Sequence, residues 1–246
     1  MQKLWFPKLQ VAWSSGLRRQ LRDGWSKLLS MNYFVTAGPT YEPLDEVRRL
    51  TNFSTGQLGS ELANFLVARG HNITLLLGYY AIYRGEQKAQ KIETFTTTTN
   101  LADRLQTFAQ GVCDGMFHAA AVSDFTFGKV WEGSPSRGLR EVKSAKISTR
   151  QGPLCAELLP TPKIIGRLRQ WFPQARLIGW KYEIEGERAQ VIHRAEQQLS
   201  ENRTDACVAN GRAYGDGFAL VTGPGKWLHV PDRAALFSAL ASFVGA

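Results

Sequence analysis

Neither common phosphate-loop signature is present. The 246 residues contain no G-x-x-x-x-G-K-[ST], and no G-x-G-x-x-G follows the first strand-like segment. That argues against a P-loop enzyme and a conventional dinucleotide enzyme. The three cysteines, Cys113, Cys155 and Cys207, are far apart and form no C-x-x-C. A disulfide framework is therefore not expected, and a reducing, cytoplasmic setting fits best. The four histidines (His71, His118, His193, His229) lack the spacing of a metal site, so no structural metal is expected. No apolar run reaches the ~18 residues of a spanning helix, and no membrane association is expected. A Tyr-x-x-x-Lys pair is also missing; "AIYRGEQKA" comes near it only superficially.

What is present is a basic chain with an uneven charge. Formal net charge is +9, and the sequence pI is about 9.6. In the first thirty residues Lys3, Lys8, Arg18, Arg19, Arg22 and Lys27 face Asp23 alone, which places +5 of the +9 there. The rest is mildly basic, which weakens a nucleic-acid reading and suits a pocket for polyanionic small molecules. Residues 1–30 lack the continuous apolar core of a signal peptide. Leu17, Leu21, Trp25 and Leu28 fall at helical spacing. The segment reads as an over-called start before Met31, a disordered or surface-lying tail, or a targeting element. Residues 31–246 are expected to form one domain.

Strand-like segments alternate with helical ones. The strand candidates are 33–38, 72–78, 92–96, 115–124, 155–159, 176–181 and 205–210, followed by a final pair, 217–223 and 226–230. Helical patterns begin near Gly56, near Asn100 (which serves as a cap), and over 162–171, 187–201 and 232–244. This predicts an α/β, Rossmann-like, mostly parallel sheet with helices on both faces and a small C-terminal β excursion. Ligands of such sheets bind at strand carboxyl ends. The shortlist is therefore 37–40, 78–80, 119–124, 179–183 and 209–210. Residues 125–153, rich in Gly, Ser, Lys and Arg, read as a long lid loop.

Two features carry chemistry. Gly38 and Pro39 turn the chain after the first strand, and Thr51, Asn52, Ser54, Thr55 and Gly56 precede a helix with an apolar stripe. Unpaired N–H groups there favour a phosphate, although Ser and Thr also cap ordinary helices. Secondly, "AAAVSD" ends in Asp124, a carboxylate suited to ribose hydroxyls or to capping. The alanines, including Ala119 and Ala120, let a flat base approach the backbone. His118 before them reads as a packed or lining residue.

Together these blocks resemble the phosphopantothenoylcysteine synthetase family. "VTAGPTYEPLDEVRRLTNFSTGQLG" resembles its opening V-T-A-G-x-T-x-E-P-[LI]-D-x-V-R-x-[IL]-[ST]-N-x-S-[ST]-G-x-[ML]-G. "AAAVSDF", "KI" at 146–147, "GPLCAELLPTPKII", "IGWKYE" and "ACVANG" match later family blocks in order, over about residues 32–220. The resemblance implies a Rossmann-like enzyme that binds CTP, with Mg²⁺, without a Walker loop. It activates the 4′-phosphopantothenate carboxylate to an acyl-cytidylate and couples it to cysteine in coenzyme A synthesis.

It further implies that Lys146 is the lid lysine at the triphosphate and that Asn52 bonds the acyl intermediate. Asp124 would hold the ribose, with Gly38, Ser54, Thr55, Gly56, Ala119, Ala120, Trp180 and Lys181 around the nucleotide. Arg48, Asn52 and Asn210 would face phosphopantothenate. A homodimer is implied too. The chain departs from the family where Ser148 and Thr149 replace the lid's second basic pair. Lys129, Arg137, Arg140, Lys143 and Arg150 can restore that charge. "GFALVTGPG" also lacks the usual Asn/Asp-rich pattern. The family's flavin-dependent half is expected to be absent, because about thirty residues precede Met31. A non-catalytic binding relative and a nicotinamide-dependent oxidoreductase are the competing readings.

Overall fold

The computed structural model describes residues 30–134, 138–148 and 152–245. The leader expected over 1–30 (apart from Ser30), and with it Arg137, Thr149 and Arg150, lies outside the described residues.

Eight segments, the central ones apolar runs bounded by turns, pair into the main sheet. These are β1 (Asn32–Ala37), β4 (Asn72–Gly78), β5 (Lys91–Phe95), β6 (Gly115–His118), β10 (Arg176–Tyr182), β11 (Ala206–Asn210), β12 (Phe218–Gly223) and β13 (Lys226–Val230). Their spatial order is β13-β12-β11-β10-β6-β1-β4-β5. The first six in chain order pair in parallel; β12 and β13 are antiparallel. Renumbered among themselves, the parallel strands run 3-2-1-4-5-6, the doubly wound order with its switch point between β1 and β6.

Helices cover both faces because successive strand residues point to opposite sides. Tyr33, Val35 and Ala37 pack with Leu62 and Leu66 of α1 (Gln57–Ala68) and with Leu236 and Leu240 of α5 (Arg233–Val244). Phe34 faces the other way, toward Leu101 and Leu105 of α2 (Thr98–Phe108) and Leu168 of α3 (Ile165–Trp171). On that second face α4 (Arg188–Asn202) sets Val191 and Ala195 against Cys207 and Ala209. The cap of α2 is Thr97, whose side chain accepts the Asn100 amide. Asn100, expected as the cap, sits inside the first turn and accepts from Thr96 N at 3.1 Å.

Two smaller sheets stand apart. β2 (Tyr41–Pro43) and β3 (Arg49–Thr51) form a hairpin directly after β1. The other sheet has the order β8-β7-β9 and is antiparallel, built from β7 (Phe125–Ser134), β8 (Gly138–Glu141) and β9 (Leu154–Pro160). The stretch expected as a lid loop over 125–153 thus contains β7 and β8. The aromatic and β-branched residues Phe125, Phe127, Val130 and Trp131 favour an extended backbone despite the neighbouring Gly and charge. The short run 155–159 does form a strand, but in this sheet and not the main one.

Gly59 shows how closely α1 lies on β1. A Cβ there would stand 2.6 Å from Ala37 Cβ and 3.3 Å from Thr36 O. Gly59→Ala gains about 1 kcal/mol of helix propensity but forces the helix off the strand, and overpacking costs ~1–3 kcal/mol. The expected net result is a loss of up to about 2 kcal/mol, read as a lower denaturant midpoint. An unchanged or higher midpoint would show that the helix moves freely.

Candidate functional site

The glycine fingerprint missing from the sequence is assembled in space. Gly38 leaves β1 with φ +82°, and Gly56 precedes α1 with φ +78°. A Cβ on Gly56 would stand 3.4 Å from the Gly38 Cα. With Gly59 they occupy the places of the turn, approach and helix-packing glycines of a doubly wound fold. Residues 39–55, including the β2–β3 hairpin, are inserted between the first and second. Ala81 packs on both turn glycines, so their lack of a side chain is already required by the protein's own turn at Gly78–Ala81. No side chain among the described residues caps α1; Gln57 N donates to Thr55 Oγ1 at 3.2 Å, and Ser54 N to Asn52 O at 2.9 Å.

The hairpin carries Asn52 across the switch point. Its Nδ2 donates to Val122 O at 3.1 Å and to Ala121 O at 3.3 Å. β6 ends at His118, short of the expected 124. Beyond it the chain stays beside the exit of β1, with Ala119 N donating to Thr36 O at 3.1 Å and Ala121 N to Gly38 O at 2.9 Å. Ala119 and Ala120 are therefore half-buried between the two strand ends. The hairpin is pinned from its far side as well: buried Glu42 accepts the Thr98 amide at 2.9 Å.

Asp45, at the hairpin tip, is a hub. Oδ1 accepts from Val47 N (2.9 Å) and Arg48 N (2.7 Å). Oδ2 accepts from Arg48 Nε (3.0 Å), from Arg48 Nη2 and from Ile147 N (3.2 Å). The Arg48 guanidinium, with these backbone amides, holds the Asp45 carboxyl well below the usual carboxylate range, against its partial desolvation. Arg48 Nη2 also donates to Ile147 O at 2.7 Å. Arg48, expected at phosphopantothenate, holds Asp45 and Ile147 while its side chain stays 35% exposed. Lys146 lies exposed beside this knot, its carbonyl accepting from Ser144 Oγ at 2.8 Å.

The remaining residues lie along the same edge. Asp124 falls at the threshold of β7, six positions after His118, and pairs with Lys163 just before α3. Sequence reading missed Lys163; a cation between Pro162 and a helix start was the available signal. Both side chains are exposed, so the pair itself adds little stability. Trp180 is partly buried against the cluster beneath α1 and α5, and its Nε1 is buried with no partner among the described residues. Lys181 pairs with Glu183 at 3.2 Å, and Asn210 O accepts Glu183 N at 2.9 Å. The structure therefore gathers Gly38, Asn52, Ser54, Thr55, Gly56, Ala119 and Ala120 at the switch point. Lys181 and Asn210 stand further along, at the ends of β10 and β11.

His118 is fully buried, 2.9 Å from Thr36 Oγ1, and burial pushes its pKa down to about 4. It is neutral at physiological pH and packed, as expected. Burial also pushes the Cys207 thiol up to about 12, which removes it as a nucleophile. A groove of about 600 Å³ lined by Asn32, Asn72, Lys91 and Phe108 lies at the amino ends of the strands. Doubly wound sheets bind ligands at the opposite end, where Asn52 and Gly56 lie.

A 3-2-1-4-5-6 parallel sheet with polar groups gathered at its switch point defines a Rossmann-like ligand-binding domain. Residues 28–224 match the family model of the DNA/pantothenate metabolism flavoprotein C-terminal domain, and the chain belongs to that family. The coenzyme A biosynthesis bifunctional protein CoaBC of Thermococcus kodakarensis is 31% identical over 183 residues, covering 74% of this chain and 41% of that protein. The chain spans less than half the length of the curated relatives it matches. The crystal structure of the DNA/pantothenate metabolism flavoprotein from Streptococcus pneumoniae superposes with a TM-score of 0.76 at 26% identity, covering 88% of this chain and 99% of that one. A Cab2 variant in complex with phosphopantothenate-cysteine shares the fold, with a TM-score of 0.61 at 19% identity, covering 95% and 97%.

Proposed function

We propose that this domain is a phosphopantothenate–cysteine ligase acting in coenzyme A synthesis, with CTP as the activating nucleotide. The observation that carries the reading is the inserted hairpin: its exit sets Asn52 at the switch point, and its tip binds the segment that bears Lys146. Family membership and the relatives' names support it. In the first half-reaction a 4′-phosphopantothenate carboxylate oxygen attacks the α-phosphate of CTP, and pyrophosphate leaves. In the second, the cysteine amine attacks the acyl carbonyl; CMP leaves and an amide forms.

The first nucleophile is already ionised at neutral pH, which suits a site whose buried histidine is neutral and packed. The chemistry left to the protein is positioning and charge neutralisation. Lys146 supplies a cation for the phosphates. Asn52 has two amide hydrogens; giving up the longer bond, to Ala121 O, frees one for the acyl oxygen. Among the described residues no group of three or more His, Cys, Asp and Glu could hold a metal. Mg²⁺, if it comes with the triphosphate, would neutralise phosphate charge beside Lys146. Asp124 reaches ribose hydroxyls once Lys163 releases it. The working form in this reading is a cytoplasmic homodimer acting on small molecules; no helix among the described residues is long and apolar enough to cross a membrane.

The test is pyrophosphate release with 4′-phosphopantothenate, Mg²⁺ and each of the four triphosphates in turn. Release with CTP, followed by amide formation when cysteine is added, is expected. Release with ATP alone would replace the nucleotide. No release with any triphosphate would favour a non-catalytic relative that only binds these ligands.

A further inference from the structure

Asp45 is far in sequence from Lys146. The segment around Lys146 is held by backbone groups on both sides of the lysine. Before it, Ala145 O accepts the Glu46 amide at 3.0 Å. After it, Ile147 N donates to Asp45 Oδ2 at 3.2 Å and Ile147 O accepts from Arg48 at 2.7 Å. The Ile147 side chain is buried, with 4% exposure, while Lys146 is exposed. Asp45 reaches these groups with a side chain that is completely covered. From the same hairpin tip, β3 leads straight to Asn52.

We infer that Asp45 is a positioning residue: it latches the 145–147 segment to the hairpin, so that Lys146 and Asn52 are presented to one substrate at a fixed separation. The inference rests on the ligase reading for its kinetic consequence, not for the latch itself. A carboxylate is required because every group facing it is a donor: two loop amides, the Ile147 amide and one guanidinium. An amide at position 45 would turn its own N–H₂ toward the Ile147 N–H or toward Arg48, donor against donor. Arg48 is the second arm of the latch. A lysine in its place keeps the charge but cannot bridge a carboxylate and a carbonyl with a planar fork.

The experiment combines amide hydrogen exchange with a double-mutant cycle, on the full chain. In Asp45→Asn the Ile147 amide should exchange at least about 10-fold faster, while core amides such as Val35 keep their protection. Pyrophosphate release should fall about 10-fold or more, the scale of a misplaced catalytic group. In a Lys146→Gln background the same change should cost less than about 2-fold, because Asp45 acts through the lysine. Arg48→Lys serves as the second variant and should show the same non-additivity. Unchanged Ile147 exchange in both variants overturns the latch. Losses that multiply fully with Lys146→Gln overturn the positioning role and leave a structural residue. If the unmodified protein releases no pyrophosphate from any triphosphate, the ligase reading falls, and the kinetic role of Asp45 falls with it. Exchange at Ile147 reads the latch separately in that case.

Discussion

Lys146→Gln lowers nucleotide-dependent pyrophosphate release by about 10²-fold or more, the scale of losing one preorganised electrostatic contact. The structure explains why the loss is confined to chemistry. The lysine side chain is exposed, and its segment is held through Ala145 and Ile147 backbone groups that glutamine leaves in place. Thermal unfolding should therefore be unchanged within ~0.5 kcal/mol, as for an ordinary surface substitution. Glutamine keeps most of the length and a donor, and loses only the positive charge. The missing rate reports neutralisation of charge on the phosphates. Near-normal release in the variant would remove Lys146 from the reaction. Attention would then move to Lys143, which sits 3.6 Å from Glu141 on the same arm.

Asn52→Asp should separate the two half-reactions. The acyl oxygen gains negative charge only when cysteine attacks, so an amide donor there acts on the second step. Aspartate removes the donor and sets a carboxylate against the Ala121 and Val122 carbonyl oxygens, acceptor facing acceptor. The side chain must swing away from the edge. Asn52 is exposed, so the domain still folds. The expected record is a burst of roughly one equivalent of pyrophosphate per site, accumulation of acyl-cytidylate, and discharge by cysteine slowed by about 10²-fold. Equal loss of both steps would show that Asn52 holds the edge together rather than the intermediate. Normal ligation by the variant would discard the residue altogether.

Most of the sheet was legible in the sequence because β1, β4, β6, β10 and β11 are buried and read as apolar runs. The hairpin was not. Its two strands are three residues each, and Arg49, Leu50 and Thr51 are all exposed, so no periodicity betrays them. The glycine roles were hidden for the same reason: Gly38 and Gly56 touch only after the chain between them is looped out. Gly and charge disguised β7, although its aromatic alternation was present. The motif named Asn52 and Lys146 by resemblance. It offered no means of seeing that Asp45 joins them, because that depends on a carboxylate meeting an amide 102 positions away. Trp180, placed near the nucleotide by its motif, shares Ile178's face of the sheet, the face that α1 covers.

The three-stranded arm leaves and rejoins the main domain at a single neck. Thr161 N donates to Asp124 O at 2.9 Å, and Phe125 pairs with Pro160 just outside. For folding kinetics this shortens the effective path between β6 and β10. Once the neck closes, the sequence within the arm no longer adds to the entropy of bringing those neighbours together, and the cost of a longer arm grows only logarithmically. For divergence the same neck acts as a graft point: the arm can lengthen, shrink or change its charge while the strand order behind it stays the same.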